Sequence, residues 1–172
     1  MQISATELMK KLKYIEKEIN AIHQEDEEKS FVPVTESRED GVSTLVPLYP
    51  SNYDLEENRN RVRTLHEEER RIKKVLNEFN NSQKVSGYDF TIAEGLVRIA
   101  ELRGEIRVLT NMTKNGAYAY DRYRSASSSL TKAMFDINMA KEYLRHYQRE
   151  LSSLQVAVDK TNLTSSINYS ED

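Results

Sequence analysis

The chain of 172 residues contains no Cys and no Trp, and only 3 Pro, 5 Gly and 4 Phe. Without Cys there are no disulfides, no thiolate nucleophile and no Cys-ligated zinc. Scarce Pro and Gly leave few positions at which a long helix must break. Tyr, at 10 residues, supplies most of the aromatics, and the hydrophobic share is only 38% against 31% charged. That balance disfavours a thick core and suits thin, elongated helical packing. A formal net charge of −3 provides no basic field for nucleic acid. No run approaches the ~18 consecutive apolar residues a membrane-spanning helix requires. The opening Met1-Gln2-Ile3-Ser4-Ala5 lacks the basic patch and apolar stretch of a signal peptide. A cytoplasmic protein with no stable membrane insertion is therefore expected, and the glycosylation-like triplets at Asn111, Asn162 and Asn168 are incidental.

What is present is rhythm. Four stretches carry apolar residues at steps of three and four, which average ~3.5 and place the side chains in one narrow stripe along a helix. The first helix is expected over about residues 4–25. Its Ser4-x-x-Glu7 spells a capping box, and Leu8, Leu12, Ile15, Ile19 and Ile22 form its row. It should fade within the acidic run 24–28, because carboxylates near a helix C-terminus oppose its dipole. The second helix, 52–80, opens at a Ser51/Asp54 capping box. Its row is Leu55, Asn58, Val62, Leu65, Glu69, Ile72, Leu76 and Phe79. The third, 91–114, begins with Thr91-x-x-Glu94 and carries Ile92, Leu96, Ile99, Leu102, Ile106 and Leu109. Ala93, Gly95, Ala100 and Gly104 give it small residues that permit close backbone approach. The fourth, 131–161, starts somewhere between Thr131 and Asp136. It has the cleanest row: Ile137, Ala140, Leu144, Tyr147, Leu151, Leu154 and Val158.

The intervening segments differ in kind. Residues 29–51 hold two β-prone runs, Phe31-Val32-Pro33-Val34 and Thr44-Leu45-Val46-Pro47-Leu48-Tyr49, around a turn signal at Asp40-Gly41. A hairpin is the reading favoured, with a loop as the alternative; Pro33 and Pro47 must then lie where no ladder donor is needed. Residues 115–130 are irregular: Tyr118 and Tyr120 alternate as in a strand, and a serine cluster at 125–129 interrupts any helix. The polar tail 163–172 is expected to fray.

Several polar groupings invite chemical readings. His66 precedes three Glu residues, and His146 stands between Glu142 and Glu150, but neither has the Glu-x-x-His spacing of a helical di-metal site. Surface ion pairing is the reading for both, with no metal and no cofactor. The Tyr and Arg residues of 118–124 could stack bases, but neighbouring acids favour a packing contact. Asn58 and Glu69 interrupt an apolar row. Asn58 is read as a register-setting residue and Glu69 as a second candidate on a wetter part of the row. No phosphate-binding glycine loop and no nucleophile elbow is present, so no catalytic residue is assigned and an enzyme is not expected.

With the helices placed, the order resembles that of the septicolysin-like family of small, functionally uncharacterised bacterial helical proteins. The likeness lies in Thr91-Ile92-Ala93-Glu94-Gly95-Leu96 opening the second arm of a long helical hairpin after Asn80-Asn81. It continues in Tyr147-Gln148-Arg149-Glu150-Leu151 and in Thr161-Asn162-Leu163 near the end of the last helix. Leu163 stands where the family has Trp, and Ala100 where it often has Asp. The resemblance implies an all-helical protomer assembling into a homo-oligomer, with a hexamer as the stoichiometry it suggests, and a late start of the last helix near Asp136. It transfers no catalytic residue.

The expected fold is mainly α: long antiparallel helices in a coiled-coil-like bundle, one helical domain over 1–172, with a short β-prone arm. The expected function is that of a homo-oligomeric coiled-coil structural or interaction protein. Its specific role and any other protein partner stay open, and nucleic acid is not expected. The seam on the fourth helix is the candidate oligomer or packing contact. The alternatives are a membrane-active cytolysin-like protein, a phage or secretion-assembly component, and a metal-dependent helical-bundle enzyme.

Overall fold

The computed structural model describes residues 1–39, 41–121 and 129–170. It is mainly helical, with α1 (Ala5–Lys29), α2 (Leu55–Ser82), α3 (Ile92–Thr113) and α4 (Ile137–Thr164). Short antiparallel pairs accompany them: β1 (Gln2–Ser4) with β6 (Ser166–Asn168), β2 (Val34–Glu39) with β3 (Val42–Pro47), and β4 (Tyr118–Asp121) with β5 (Ser129–Lys132). The contacts divide the chain into two compact units, the boundary falling within α2 after Asn77.

The first unit holds Met1–Asn77 and the C-terminal segment from Ser166. α1 begins as its sequence specifies. The Ser4 hydroxyl accepts the Glu7 amide, and the Glu7 carboxylate accepts the Ser4 amide, so two otherwise orphaned donors are satisfied. Leu8, Ile15, Ile19 and Ile22 are buried along one face, and Val62, Ile72 and Leu76 along α2. Lys11 bridges to Glu68 at 3.9 Å, and Asp26 reaches Asn58, so the two helices run antiparallel. The acidic run does not end α1 at residue 25. Lys29 pairs with Glu25 at 2.9 Å and Asp26 finds three partners on or before α2, which offsets the dipole conflict and carries the helix to Lys29.

α2 is capped by Asp54 rather than Ser51. The Asp54 carboxylate accepts the Glu57 amide at 3.0 Å, while Ser51 accepts the Tyr53 amide in the turn before. Leu55 consequently sits in the exposed first turn instead of the buried row. Residues 34–47 form the hairpin, with register Val34↔Pro47 through Glu39↔Val42. Pro47 closes the end of the ladder, where its missing amide costs nothing, and Gly41 adopts the positive φ of +82° that the turn demands. Its turn partner Asp40 lies outside the described residues.

The tail is not frayed through residue 170. Ser166–Asn168 pairs with Gln2–Ser4, and the Tyr169 amide extends the ladder to the Met1 carbonyl at 2.9 Å. Ile167 and Tyr169 are buried, and the Lys11 ammonium lies 5.3 Å from the centre of the Tyr169 ring.

The second unit is Glu78–Ser165. Here the turn after α2 is tied by Val85–Phe90 and Gln83–Ile92 backbone hydrogen bonds, with Gly87 at φ +83°. Thr91 and Glu94 form the reciprocal cap of α3. α3 packs along α4, burying Ile92, Gly95, Ile99 and Leu102 against a row containing Ala140, Leu154 and Val158. The burial row passes through Gly95, not Leu96, which is exposed. A Cβ at Gly95 would lie 3.2 Å from Phe90, 3.4 Å from Val85 and 3.6 Å from Val158, so the absent side chain is what lets those groups close on the helix. α4 begins at Ile137, not Thr131. Thr131 and Lys132 belong to β5, and the Asp136 carboxylate caps the helix by accepting the Asn138 and Met139 amides. Tyr118 and Tyr120 lie in β4, whereas the rest of the Tyr and Arg grouping, with Tyr123 and Arg124, lies outside the described residues, as do Ser125, Ser127 and Ser128.

Candidate interaction surface

Two polar positions in the α2 row resolve differently. Asn58 is buried, and its side-chain amide donates to Asp26 at 3.0 Å. The Tyr53 hydroxyl donates to the same carboxylate at 2.9 Å, and the Arg59 guanidinium closes on its other oxygen. Asn58 is therefore engaged inside the chain, where it fixes the end of α1 against the start of α2. The partner was hidden in the acidic run, which sequence reasoning treated as a helix terminator. Glu69 is half-buried between Lys73 at 2.5 Å and His66 at 2.9 Å. The Lys73 ammonium, then His66, hold its carboxyl below the usual carboxylate range.

His146 lies 3.9 Å from Glu150 on one α4 face. Glu150 is occupied by Arg98 of α3 at 2.8 Å, and Arg98 also reaches Glu101 at 3.2 Å. Among the described residues no group of three His, Asp or Glu side chains is placed to hold a metal ion. Nor is any described helix long and apolar enough to cross a membrane.

The α4 seam divides along its length. Ala140, Leu154 and Val158 are buried, whereas Ile137, Leu144, Tyr147 and Leu151 are half-buried. Beside them Met139 and Tyr143 are exposed, and with Glu142 and His146 they line an open depression. At the other end of the same row, Thr161 is buried. Its hydroxyl donates to the Ala157 carbonyl at 2.8 Å and accepts the Ser86 amide at 2.9 Å. No sequence pattern marked Thr161 as the anchor of that turn. In the first unit, the β2–β3 hairpin leaves Val34, Val42, Leu45 and Val46 exposed, with Phe31, Leu48 and Tyr49 exposed beside it. An isolated two-stranded ribbon is marginal in water, so this arm gains little from its own packing.

No family model and no curated protein matches this chain. Among solved structures it is similar to a functionally unknown conserved protein from Corynebacterium diphtheriae. The TM-score is 0.73 at 12% identity, covering 98% of this chain and all of the other. At that identity the likeness concerns the fold alone.

Proposed function

We propose that the protein is a homo-oligomeric, coiled-coil-like scaffold whose copies associate through apolar helix edges. The observation that supports this most directly is the middle of α4. The most regular apolar row in the chain stays half-buried at Leu144, Tyr147 and Leu151, with Met139 and Tyr143 open beside it. A pair of helices covers one stripe on each partner and leaves the rims of both wet, so such a row is completed by further helices. The resemblance to septicolysin-like proteins adds a stoichiometry, a hexamer, and the composition adds a cytoplasmic setting.

The test is mass in solution. Light scattering across the micromolar range should give a multiple of 20.0 kDa. Leu144→Asp or Leu151→Asp should reduce that mass, since each introduces a charge into the row. A wild-type protein that remains at 20.0 kDa throughout refutes the proposal.

A further inference from the structure

α3 carries apolar residues on two roughly opposite faces, of which α4 covers one. Opposite the buried Ile92, Ile99 and Leu102 runs a second row: Ala93, Val97, Ala100, Gly104 and Val108, at steps of four, three, four and four. Val97 is 60% and Val108 50% exposed. At ~100° per residue this row is centred about 160° from the covered one. Its two edges carry net charges of opposite sign, the acidic side also holding Arg98 farther round, where that guanidinium is paired with Glu150 at 2.8 Å and Glu101 at 3.2 Å of its own chain. Glu94, Glu101 and Glu105 lie about 60–100° to one side, and Arg103 and Arg107 about 60–100° to the other, all of them exposed.

The two glycines of α3 separate what the chain explains from what it does not. A Cβ at Gly95 would crowd Phe90 at 3.2 Å and reach Val85 and Val158 at contact distance, whereas one at Gly104 would meet nothing within 4 Å among the described residues. Gly104 thus weakens the middle of a helix without any contact among the described residues that uses the missing side chain.

We infer that this outer face of α3 is an isologous contact with α3 of a second copy, the two helices lying parallel about a two-fold axis along their length. Charge complementarity selects both occupant and direction. In a parallel pair related by such an axis, the acidic edge of each helix meets the basic edge of the other. In an antiparallel pair acid would face acid and Arg would face Arg, an arrangement that opposes association. Gly104 and Ala100 then let the backbones approach at the middle of the contact. The inference rests on the reading that copies associate, and assigns one surface to that association.

The absence of native Cys provides a clean experiment on the full chain. Val97→Cys and Val108→Cys, made separately and oxidised mildly, should each cross-link to the same residue of a second copy, well above a Glu67→Cys control on α2. A parallel pair brings like residues together at both positions, about 16 Å apart along the helix, whereas an antiparallel pair can match only one. In parallel, Arg103→Glu with Arg107→Glu should weaken association by about tenfold or more, and so should Glu101→Lys with Glu105→Lys. Mixing the two doubly substituted proteins should restore it as a heteromer. Wild-type protein that is monomeric at every concentration overturns both the scaffold reading and this contact. Wild-type oligomers that survive both charge reversals unchanged, or that cross-link at only one Cys position or at neither, overturn the α3 assignment and leave the scaffold standing.

Discussion

Replacing Asp26 with Ala tests the polar anchor that joins the C-terminal turn of α1 to the start of α2. Three donors converge on this carboxylate: the Asn58 amide at 3.0 Å, the Tyr53 hydroxyl at 2.9 Å and the Arg59 guanidinium. Asn58 is only 5% exposed, so its orphaned amide cannot turn to water, and that alone costs about 1–3 kcal/mol. Tyr53 is half-buried and recovers part of its bond from solvent. The Arg59 side chain is 42% exposed, which limits its ion pair to about 0–1 kcal/mol. Against these losses, removing a carboxylate near a helix C-terminus relieves about 0.3–1 kcal/mol of dipole conflict. The buried amide dominates, and the net loss should be about 2 kcal/mol. Urea unfolding followed by circular dichroism at fixed protein concentration measures it, with the slope unchanged if the denatured state is unaltered. Pairing Asp26→Ala with Asn58→Ala in a double-mutant cycle should return about 1 kcal/mol of coupling. A loss under 0.5 kcal/mol with no coupling would refute the view that Asn58 is held in place by Asp26.

Other outcomes follow from the same contacts. Thr161→Val should destabilise the unit Glu78–Ser165 by about 0.5–1.5 kcal/mol, because the Ser86 amide loses its acceptor, while Thr161→Ser should retain most of the stability; hydrogen exchange at Ser86 reports it directly. Gly104→Ala should raise helix stability by about 0.5–1 kcal/mol in dilute protein, whereas Gly95→Ala should gain less or lose, since its Cβ would press on Phe90 at 3.2 Å; melting midpoints compare the two. Acid should loosen the N-termini of α1 and α3. The Ser4 amide and then its hydroxyl hold the Glu7 carboxyl below the ordinary range, and the Thr91 amide and hydroxyl do the same to Glu94. A carboxyl with a lowered folded pKa stabilises fully above its unfolded value and loses that contribution as pH falls through the folded one. Melting temperature should therefore drop as the solution is acidified below the usual carboxylate pKa, less steeply in the Ser4→Ala, Thr91→Ala protein. Equal slopes would assign the acid sensitivity to other groups.

Local features were legible in the sequence and distant ones were not. The caps at Ser4 and Thr91 are written within four residues, and both form. The hairpin was favoured from two β-prone runs around a turn signal, and Gly41 turns it. The pairing of Gln2 with Asn168 joins opposite ends of the chain, and nothing near either end encodes it. Leu96 was misplaced for a subtler reason. An apolar row is read from side chains that are present, yet the position facing the core is Gly95, whose contribution is the absence of one. Asn58 stood out as an anomaly in its row, but its partner Asp26 sat among four acids that looked interchangeable. The α4 row was visible in full. Its division into a buried end at Leu154 and Val158 and a half-buried middle at Leu144, Tyr147 and Leu151 depends on where α3 lies, which the spacing of α4 does not contain.

α2 and α3 differ in what their composition places on the face turned away from their packing partner. Around its single apolar row α2 is heavily charged, with Arg61, Arg63, Glu67, Arg70 and Arg71 exposed, and water satisfies that surface at no cost. α3 has no comparable polar back. Across from the face it turns to α4 it places Val97, Ala100, Gly104 and Val108, and confines its charges to two edges, one with Arg103 and Arg107 and one with three Glu residues and the internally paired Arg98. Val97 is 60% and Val108 50% exposed, so burying both on each of two copies is worth about 3–7 kcal/mol, a part but not the whole of the ~8 kcal/mol of a micromolar contact. The cost of association consumes much of that gain, which is why the edge charges matter. In the proposed α3 contact they add little energy at exposed sites, but they remove the antiparallel arrangement as a competitor.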